Sequence, residues 1–468
     1  MTSFLKRKRA SDNLINSNVS DNWIILSLVL GSILPLLDST ALGVAIPSLS
    51  QYFSVSVHEL QKIVTFYTLA AAVTVPLCAW GMKRYNTKCV WLSGLCLFLL
   101  SSAACATADS LNQLTAYRIV QGIGAGVLMS AMQPILLNAL GREQFRSAMA
   151  KVAIPAVVVP IFGPFVAGGI LELTSWHWIF LINVPISIGA LIFALCFVPN
   201  CLGNRGAALD LTGYLTFALA LGSLVYVLSS ISSSNRAFYL SWDIFCFTFI
   251  CIACFCFYIF HTLRRSESAV LDIALFAGGQ FRNTAILLFL SSFAFYAGLF
   301  ILPSIFVQSY DYSVLLSSSM LGIGGVGALL SRFYLSRLSS VFSTANVALI
   351  GTLFGVLGTA PLLFPLVFDS SILVGLCMLI RGAALGLLTL LAMTNLYVDI
   401  TKEKTPDVSA WSRVLTLLGG SIGTALMGVL FHVDIFGFPS MTIVALLAAN
   451  TICLIPAFSL NMHKNNPT

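Results

Sequence analysis

Two side chains of this sequence sit where charge is most costly. Asp38 lies inside the run Trp23–Ala45, which is long and apolar enough to cross a bilayer. Arg118 lies inside a second such run, 113–139. A carboxylate at mid-membrane costs about 2.5–3.5 kcal/mol on insertion scales. Asp38 is the only acidic residue well inside a run of this kind. The chemistry open to it is to bind and release a proton, with a cation at the same depth offsetting its cost. At 1.5 Å per residue, Asp38 stands roughly 22 Å along its run, and Arg118 roughly 8–10 Å from the opposite start of its own, antiparallel run. Both charges therefore reach the same level of the membrane. A structural ion pair that only fixes helix packing is the plainer alternative. Buried ion pairs add little stability, however, which favours a working role.

Other polar groups lie near. Gln121 and Gln133 share the Arg118 run and need a cavity or another helix to face. With Phe293, Phe295, Tyr296 and Trp411 they are candidates for the wall of a substrate cavity. An aromatic lining with few polar groups suits bulky amphipathic compounds, often cationic ones.

The elements that position these residues are membrane helices. Hydrophobic residues make up 58% of the 468 and charged residues only 9%, against roughly a quarter charged in soluble domains. Fourteen apolar runs have span length: 23–45, 60–81, 90–108, 113–139, 147–171, 176–198, 210–231, 242–262, 281–306, 314–336, 345–366, 371–396, 407–431 and 439–459. With the N-terminus in the cytoplasm, nineteen of the 24 Lys and Arg fall on the cytoplasmic side, among them Lys6–Arg9, Lys83, Arg84, Arg142, Arg146 and Arg332. Lys62 and Arg236 fall outside, while Arg118, Arg381 and Arg413 lie within or at the mouth of runs. A missed span would invert this bias in every later loop, so the positive-inside rule supports fourteen spans with both termini cytoplasmic. The net charge of +7 is thereby a topology signal, not one for nucleic acid.

The two halves echo each other at an offset of eight spans. Tyr117-Arg118 to Gly126 is echoed by Ile380-Arg381 to Gly386, and Gly163 to Gly169 by Gly419 to Gly423. The expected fold class is all-α, a polytopic membrane protein of two six-helix halves with two inserted helices. Its divisions are a tail (1–22), a six-helix bundle (23–200), the inserted pair (201–265), a second six-helix bundle (266–460) and a tail (461–468). Two enzyme-like patterns are excluded by context. Gly419-Gly-Ser421-Ile-Gly423 lacks the strand–turn–helix of a nucleophile elbow, and Gly322 to Gly327 follows no strand of a dinucleotide fold. The twelve cysteines lie mostly in apolar runs, and no metal set forms around Cys251, Cys254 and Cys256. No catalytic residue, metal site or cofactor is expected, the energy source being the proton motive force.

These motifs resemble the major facilitator superfamily, and within it the fourteen-span drug:proton antiporters of the EmrB/QacA type. Leu37-Asp38-Ser-Thr40-Ala-Leu-Gly43-Val-Ala45-Ile-Pro47 is similar to that group's first-span signature. The Lys83-Arg84-Tyr-Asn86-Thr-Lys88 loop, the Arg118 to Gly126 segment and Trp176-His-Trp178-Ile-Phe180-Leu-Ile-Asn183-Val-Pro185 are similar to others. The resemblance implies a proton site at Asp38 with Arg118 as partner. It implies a cytoplasmic gating loop at Lys83, Arg84 and Asn86, and an antiporter motif at Gly163, Pro164, Gly168 and Gly169. Gly43, Asn86 and His177 depart from the family pattern. Asn86 stands at a glycine position, where Asn tolerates a left-handed turn.

The expected function is proton-coupled efflux of amphipathic drugs or related small molecules by alternating access. A dedicated exporter of an endogenous metabolite or siderophore is the alternative, ahead of an uptake symporter or a non-transporting membrane protein. The expected setting is the plasma membrane, the inner membrane of a bacterium. The partners are a small-molecule substrate, protons and the lipid bilayer, with no nucleic acid. A periplasmic adaptor protein would be added in a Gram-negative cell.

Overall fold

The computed structural model describes residues 2–55, 57–200, 209–233, 242–264, 271–398, 400–432 and 440–465. Sixteen α-helices are present among them: α1 (Thr2–Phe53), α2 (Val57–Arg84), α3 (Thr87–Cys105), α4 (Leu111–Val152), α5 (Pro155–Leu173), α6 (His177–Leu181), α7 (Asn183–Phe197), α8 (Leu211–Ser233), α9 (Trp242–Arg264), α10 (Gly279–Ser309), α11 (Val314–Val341), α12 (Thr344–Thr359), α13 (Ser371–Asn395), α14 (Thr405–His432), α15 (Ser440–Ile452) and α16 (Leu454–Asn465). No strand occurs among the described residues. The helices α6 and α7 share one apolar run, as do α15 and α16, so the fourteen runs fall on fourteen helical rods, apart from residues 147–152 of the fifth, which belong to α4. Among the described residues, eleven stretches are long and apolar enough to cross a membrane. This is a multi-pass membrane protein of all-α class.

Contacts repeat between the halves. Helix α4 is wedged between α2 and α3, and α13 between α11 and α12. Helix α5 packs on α1 as α14 packs on α10. Glycine makes the wedge close enough. A Cβ at Gly122 would collide with the Tyr67 carbonyl, and one at Gly126 would meet Ala71 O at 2.5 Å. One turn apart on α4, the two glycines let the α2 backbone pass at van der Waals distance. Gly382 meets the Gly324 carbonyl in the same way in the other half. Helix α8 packs on α9 and lies against both α2 and α14. Helix α9 turns Phe245, Phe249, Ile252 and Phe257 outward, a face suited to lipid.

Two boundaries differ from the sequence expectation. The fifth run was expected from residue 147, but its rod begins at Pro155. Gly141 adopts φ 74°, ψ 175° and breaks α4, so 142–152 forms a separate helical stretch. Only glycine holds this conformation at little cost. Arg332 was expected at the cytoplasmic end of its run, yet α11 continues nine residues beyond it to Val341. Lys6–Arg9 lack described side chains, and Arg205 and Arg236 lie outside the described residues.

The packing is asymmetric end to end. We call the end holding Lys83, Arg142 and Arg146 the basic end. One apolar core there runs through both halves, joining Met82, Phe145 and Met149 to Leu391, Tyr397 and Trp411. Toward the far end the core divides. Leu42, Leu49, Leu60, Trp176 and Phe180 form one cluster, and Ile301, Phe306, Met320 and Phe368 form another. The halves are thus joined at the basic end and packed separately at the far end.

Candidate functional site

The site grows from α1 and α4. Asp38 is fully buried and Arg118 is 1% exposed. Arg118 Nη1 lies 2.5 Å from Asp38 Oδ2 and also donates to Gln121 Oε1 at 2.7 Å. Gln121 sits three residues after Arg118, on the same face of α4, so both side chains meet α1 together. Gln121 Nε2 donates to Asp38 Oδ1 at 3.0 Å and to Ser102 Oγ at 3.2 Å. Asn183 Nδ2, at the start of α7, reaches Asp38 Oδ1 at 3.4 Å and Ser102 Oγ at 3.2 Å. Ser102 in turn donates to the Phe180 carbonyl at 3.0 Å. The Arg118 guanidinium lies over the Tyr67 ring, 4.0 Å from its centroid. Helices α1, α2, α3, α4 and α7 therefore converge on one carboxylate. An ionised Asp38 accepts every bond offered to it, and a protonated one must give up part of this set.

The seam between the halves is the second component. Lys83 Nζ on α2 pairs with Asp407 Oδ1 on α14 at 2.6 Å. Ser409 donates to the Ser130 carbonyl at 2.6 Å, and Tyr397 Oη to Gln133 Oε1 at 2.7 Å. Arg146 reaches Asn395 Oδ1 at 3.3 Å, and Arg142 bonds the Ile400 carbonyl. Phe145 meets Tyr397 edge-on. All these links lie toward the basic end. They close that end while the network around Asp38 stands in the far half.

A pseudo-repeated bundle of fourteen rods, with a buried ion pair in one half and a polar seam between halves, is a carrier architecture. The sequence profile of the Major Facilitator Superfamily matches residues 28–424. The chain belongs to this superfamily. Among its relatives, "Probable transport protein HsrA" of Haemophilus influenzae is 28% identical over 85% of this chain and 84% of its own. "Putative multidrug resistance protein MdtD" of Yersinia enterocolitica is 33% identical over 44% of this chain and 43% of its own, a match spanning less than half of either. The crystal structure of the human organic anion transporter MFSD10 (TETRAN) superposes with a TM-score of 0.69 at 15% identity, covering 94% of this chain and 99% of that one. At that identity the likeness is one of fold. The family and fold are those of transporters.

Within the superfamily fold the remaining expected residues fall into groups. Gly163 packs where a Cβ would strike Thr40, two residues after Asp38, so α5 passes α1 at the level of the ion pair. Gly168 and Gly169 face open space, as does Gly43. The Pro164 side chain lies outside the described residues. Asn86 has φ −77°, ψ 133° and caps α3, its side chain accepting from Lys88 N. It works as a cap in extended conformation, not through the left-handed turn expected of it. Arg84 ends α2 beside Lys83. His177 is held by Ser175 and stacks on Trp176, in an aromatic group at the far end.

The expected cavity wall is dispersed. Gln121 serves Asp38, and Gln133 belongs to the seam. Trp411 is turned away, donating to the Asp272 carbonyl at 3.2 Å and packing on Phe276 and Phe217. Aromatic character alone could not tell the cavity face of α14 from the face that meets α8. Phe293, Phe295 and Tyr296 lie within a single turn of α10. The Phe293 carbonyl faces Gly423, and the Tyr296 ring faces Gly420 and is 38% exposed.

Sequence reasoning missed Tyr67, Ser102, Asn183, Tyr397 and Asp407. Asn183 was within reach, since it belongs to a quoted motif. Asp407 opens a run at its very edge, and only the partner Lys83 gives it meaning. Tyr67 and Ser102 carry no signal of their own in a span.

Proposed function

We propose that this chain is a proton-coupled exporter working by alternating access, with Asp38 as the proton site and Arg118 as its partner. The observation that carries this reading is a fully buried carboxylate held by Arg118, Gln121 and Asn183 inside a transporter fold. Protonation releases Arg118 and Gln121 from the carboxylate and loosens α1 from α4 and α7. Gly163 against Thr40 passes that change to α5.

The basic end is assigned to the cytoplasm by its Lys and Arg excess. The protein sits in the plasma membrane with both termini inside. The structure then corresponds to the state closed toward the cytoplasm. A proton entering from outside protonates Asp38, substrate leaves outward, and deprotonation toward the cytoplasm resets the carrier. One charge moved through 100 mV supplies about 2.3 kcal/mol, or roughly fiftyfold in concentration. The likeness to a multidrug resistance protein makes drugs the first substrates to screen.

The test is transport in proteoliposomes under an imposed pH gradient. Asp38→Asn is expected to retain substrate binding and counterflow exchange but to lose gradient-driven accumulation. Full accumulation by Asp38→Asn would sink the coupling role.

A further inference from the structure

The inserted pair, α8 and α9, stands outside both six-helix halves, yet its contacts converge on the seam between them. Helix α8 lies against α2 of one half and α14 of the other. A Cβ at Gly222 of α8 would come within 3.2 Å of Leu69 Cδ1 on α2. The Phe217 ring of α8 lies 5.9 Å from that of Trp411 on α14 and 4.8 Å from that of Tyr258 on α9. Asp210, just before α8, accepts from Gly213 N at 2.9 Å and holds His261 Nε2 of α9 at 3.0 Å through both carboxylate oxygens. The two inserted helices are thereby fastened to each other at the basic end.

The segment after α9 carries this hold to α14. Tyr258 is fully buried, and its hydroxyl donates to the Leu271 carbonyl at 3.0 Å. Next in the chain, Asp272 caps the short 3₁₀ helix Ile273–Ala277, its Oδ1 accepting from Ala274 N at 2.8 Å. Its Oδ2 accepts from Lys404 Nζ at 2.9 Å, and its carbonyl accepts from Trp411 Nε1 at 3.2 Å. One residue thus grips the start of α14 at two points. Asp407, the acid that pairs with Lys83 across the seam, stands between them, three residues after Lys404 and four before Trp411.

Helix α14 begins only at Thr405, and the first turn of a helix frays unless it is tied down. Anchors about one turn to either side leave Asp407 little freedom to turn or to shift along the helix axis. Lys83 is 25% exposed and reaches Asp407 on a flexible stem, so a firm pair needs the carboxylate to be held in place. A carboxylate fixed beforehand forms the pair with less loss of freedom, which favours the closed seam.

We propose that Asp272 and Tyr258 are positioning residues of the basic-end gate, and that the inserted pair acts through them to set Asp407 against Lys83. This rests on the alternating-access reading above and gives α8 and α9 a part in it. Opening the seam separates α14 from α2 and gives up the pair that the grip has prepared. Loosening the grip therefore raises the open fraction while both partners of the pair remain in the chain.

The test uses the full chain, freed of its native cysteines, in phosphatidylcholine nanodiscs, with Ser409→Cys as a reporter in the seam. A water-soluble maleimide reaches that thiol only when the seam parts, so the labelling rate follows the open fraction. Tyr258→Phe keeps the ring and removes one hydrogen bond; it is expected to speed labelling about two- to tenfold. Asp272→Asn keeps the capping oxygen and the carbonyl but removes the charge that holds Lys404; it is expected to speed labelling about two- to fivefold. In a chain that already carries Lys83→Gln, neither change should speed labelling further, because each acts through the pair that is gone. A purely structural role would multiply the effects and lower the thermal midpoint in both backgrounds. Unchanged labelling in both single variants, or full multiplication in the Lys83→Gln chain, overturns the proposal. Each single variant decides alone if the other does not fold. The two readings fail separately. Labelling as expected without gradient-driven flux in proteoliposomes removes the proton reading and leaves the grip, whereas gradient-driven flux with unchanged labelling does the reverse.

Discussion

Replacing Lys83 with Gln should open the basic end. Lys83 Nζ lies 2.6 Å from Asp407 Oδ1, with the Asp407 side chain 3% exposed and that of Lys83 25% exposed. Hydrogen bonds to charged groups contribute about 1.5–3 kcal/mol. In the closed state Lys83→Gln leaves a buried carboxylate without its paired cation; once the seam parts, water solvates it. The penalty therefore falls on the closed state alone. At about 1.4 kcal/mol per tenfold, the closed-to-open ratio falls about tenfold to a little over a hundredfold. A carrier that is about 99% closed would drop to about 90%, or to near even at the upper limit. Spin labels at the exposed Tyr85 and Glu403, in a cysteine-free background, report the two populations by pulsed dipolar spectroscopy. Lys83→Gln should raise the long-distance population, and the exchange Lys83→Asp with Asp407→Lys should restore much of the short one. An unchanged distance distribution would refute the reasoning. The seam would then be held by Phe145, Tyr397 and the shared apolar core, and the ion pair would be incidental.

Further expectations follow from packing. Gly122→Ala forces α2 away from α4 at the Tyr67 carbonyl and should cost about 1–3 kcal/mol, read as a lowered thermal midpoint with weaker transport. Gly141→Ala places a side chain at φ 74° and should cost about 1–3 kcal/mol, read in the same assay; an unchanged midpoint would show that the 142–152 helix relaxes freely. Asn183→Ala removes one donor from Asp38 while leaving Arg118 and Gln121 in place. It should shift the pH at which transport is half-maximal while leaving expression and folding intact, and an unmoved profile would exclude Asn183 from the proton site.

How much of this was legible beforehand depends on the kind of interaction. The rods were legible because apolar length is a local property, and fourteen runs fell on fourteen rods. The meeting of Asp38 with Arg118 was legible because depth follows from residue count along two antiparallel helices. The boundary near residue 147 was not, because an amphipathic stretch after Gly141 reads as a continuation of the apolar pattern. Asn86 was read as a glycine substitute and proved to be a helix cap, since the same residue type serves both roles. The cavity list failed at Trp411 because the direction of a side chain around a helix depends on neighbours distant in sequence.

Sequence alone determined that this chain crosses a membrane many times, that basic loops share one side, and that one acid is buried at the depth of one arginine. These follow from hydropathy and charge, which each residue carries regardless of its neighbours. Tertiary structure alone decided which charges are answered. It gave Asp38 three donors and Asp407 its lysine, spent Arg381 on a carbonyl, and left Arg332 and Arg413 without an acid partner among the described residues. Pairing is a matter of a few ångströms between helices far apart in the chain. The energy of a buried charge turns on those few ångströms, because little water is at hand to make up the difference.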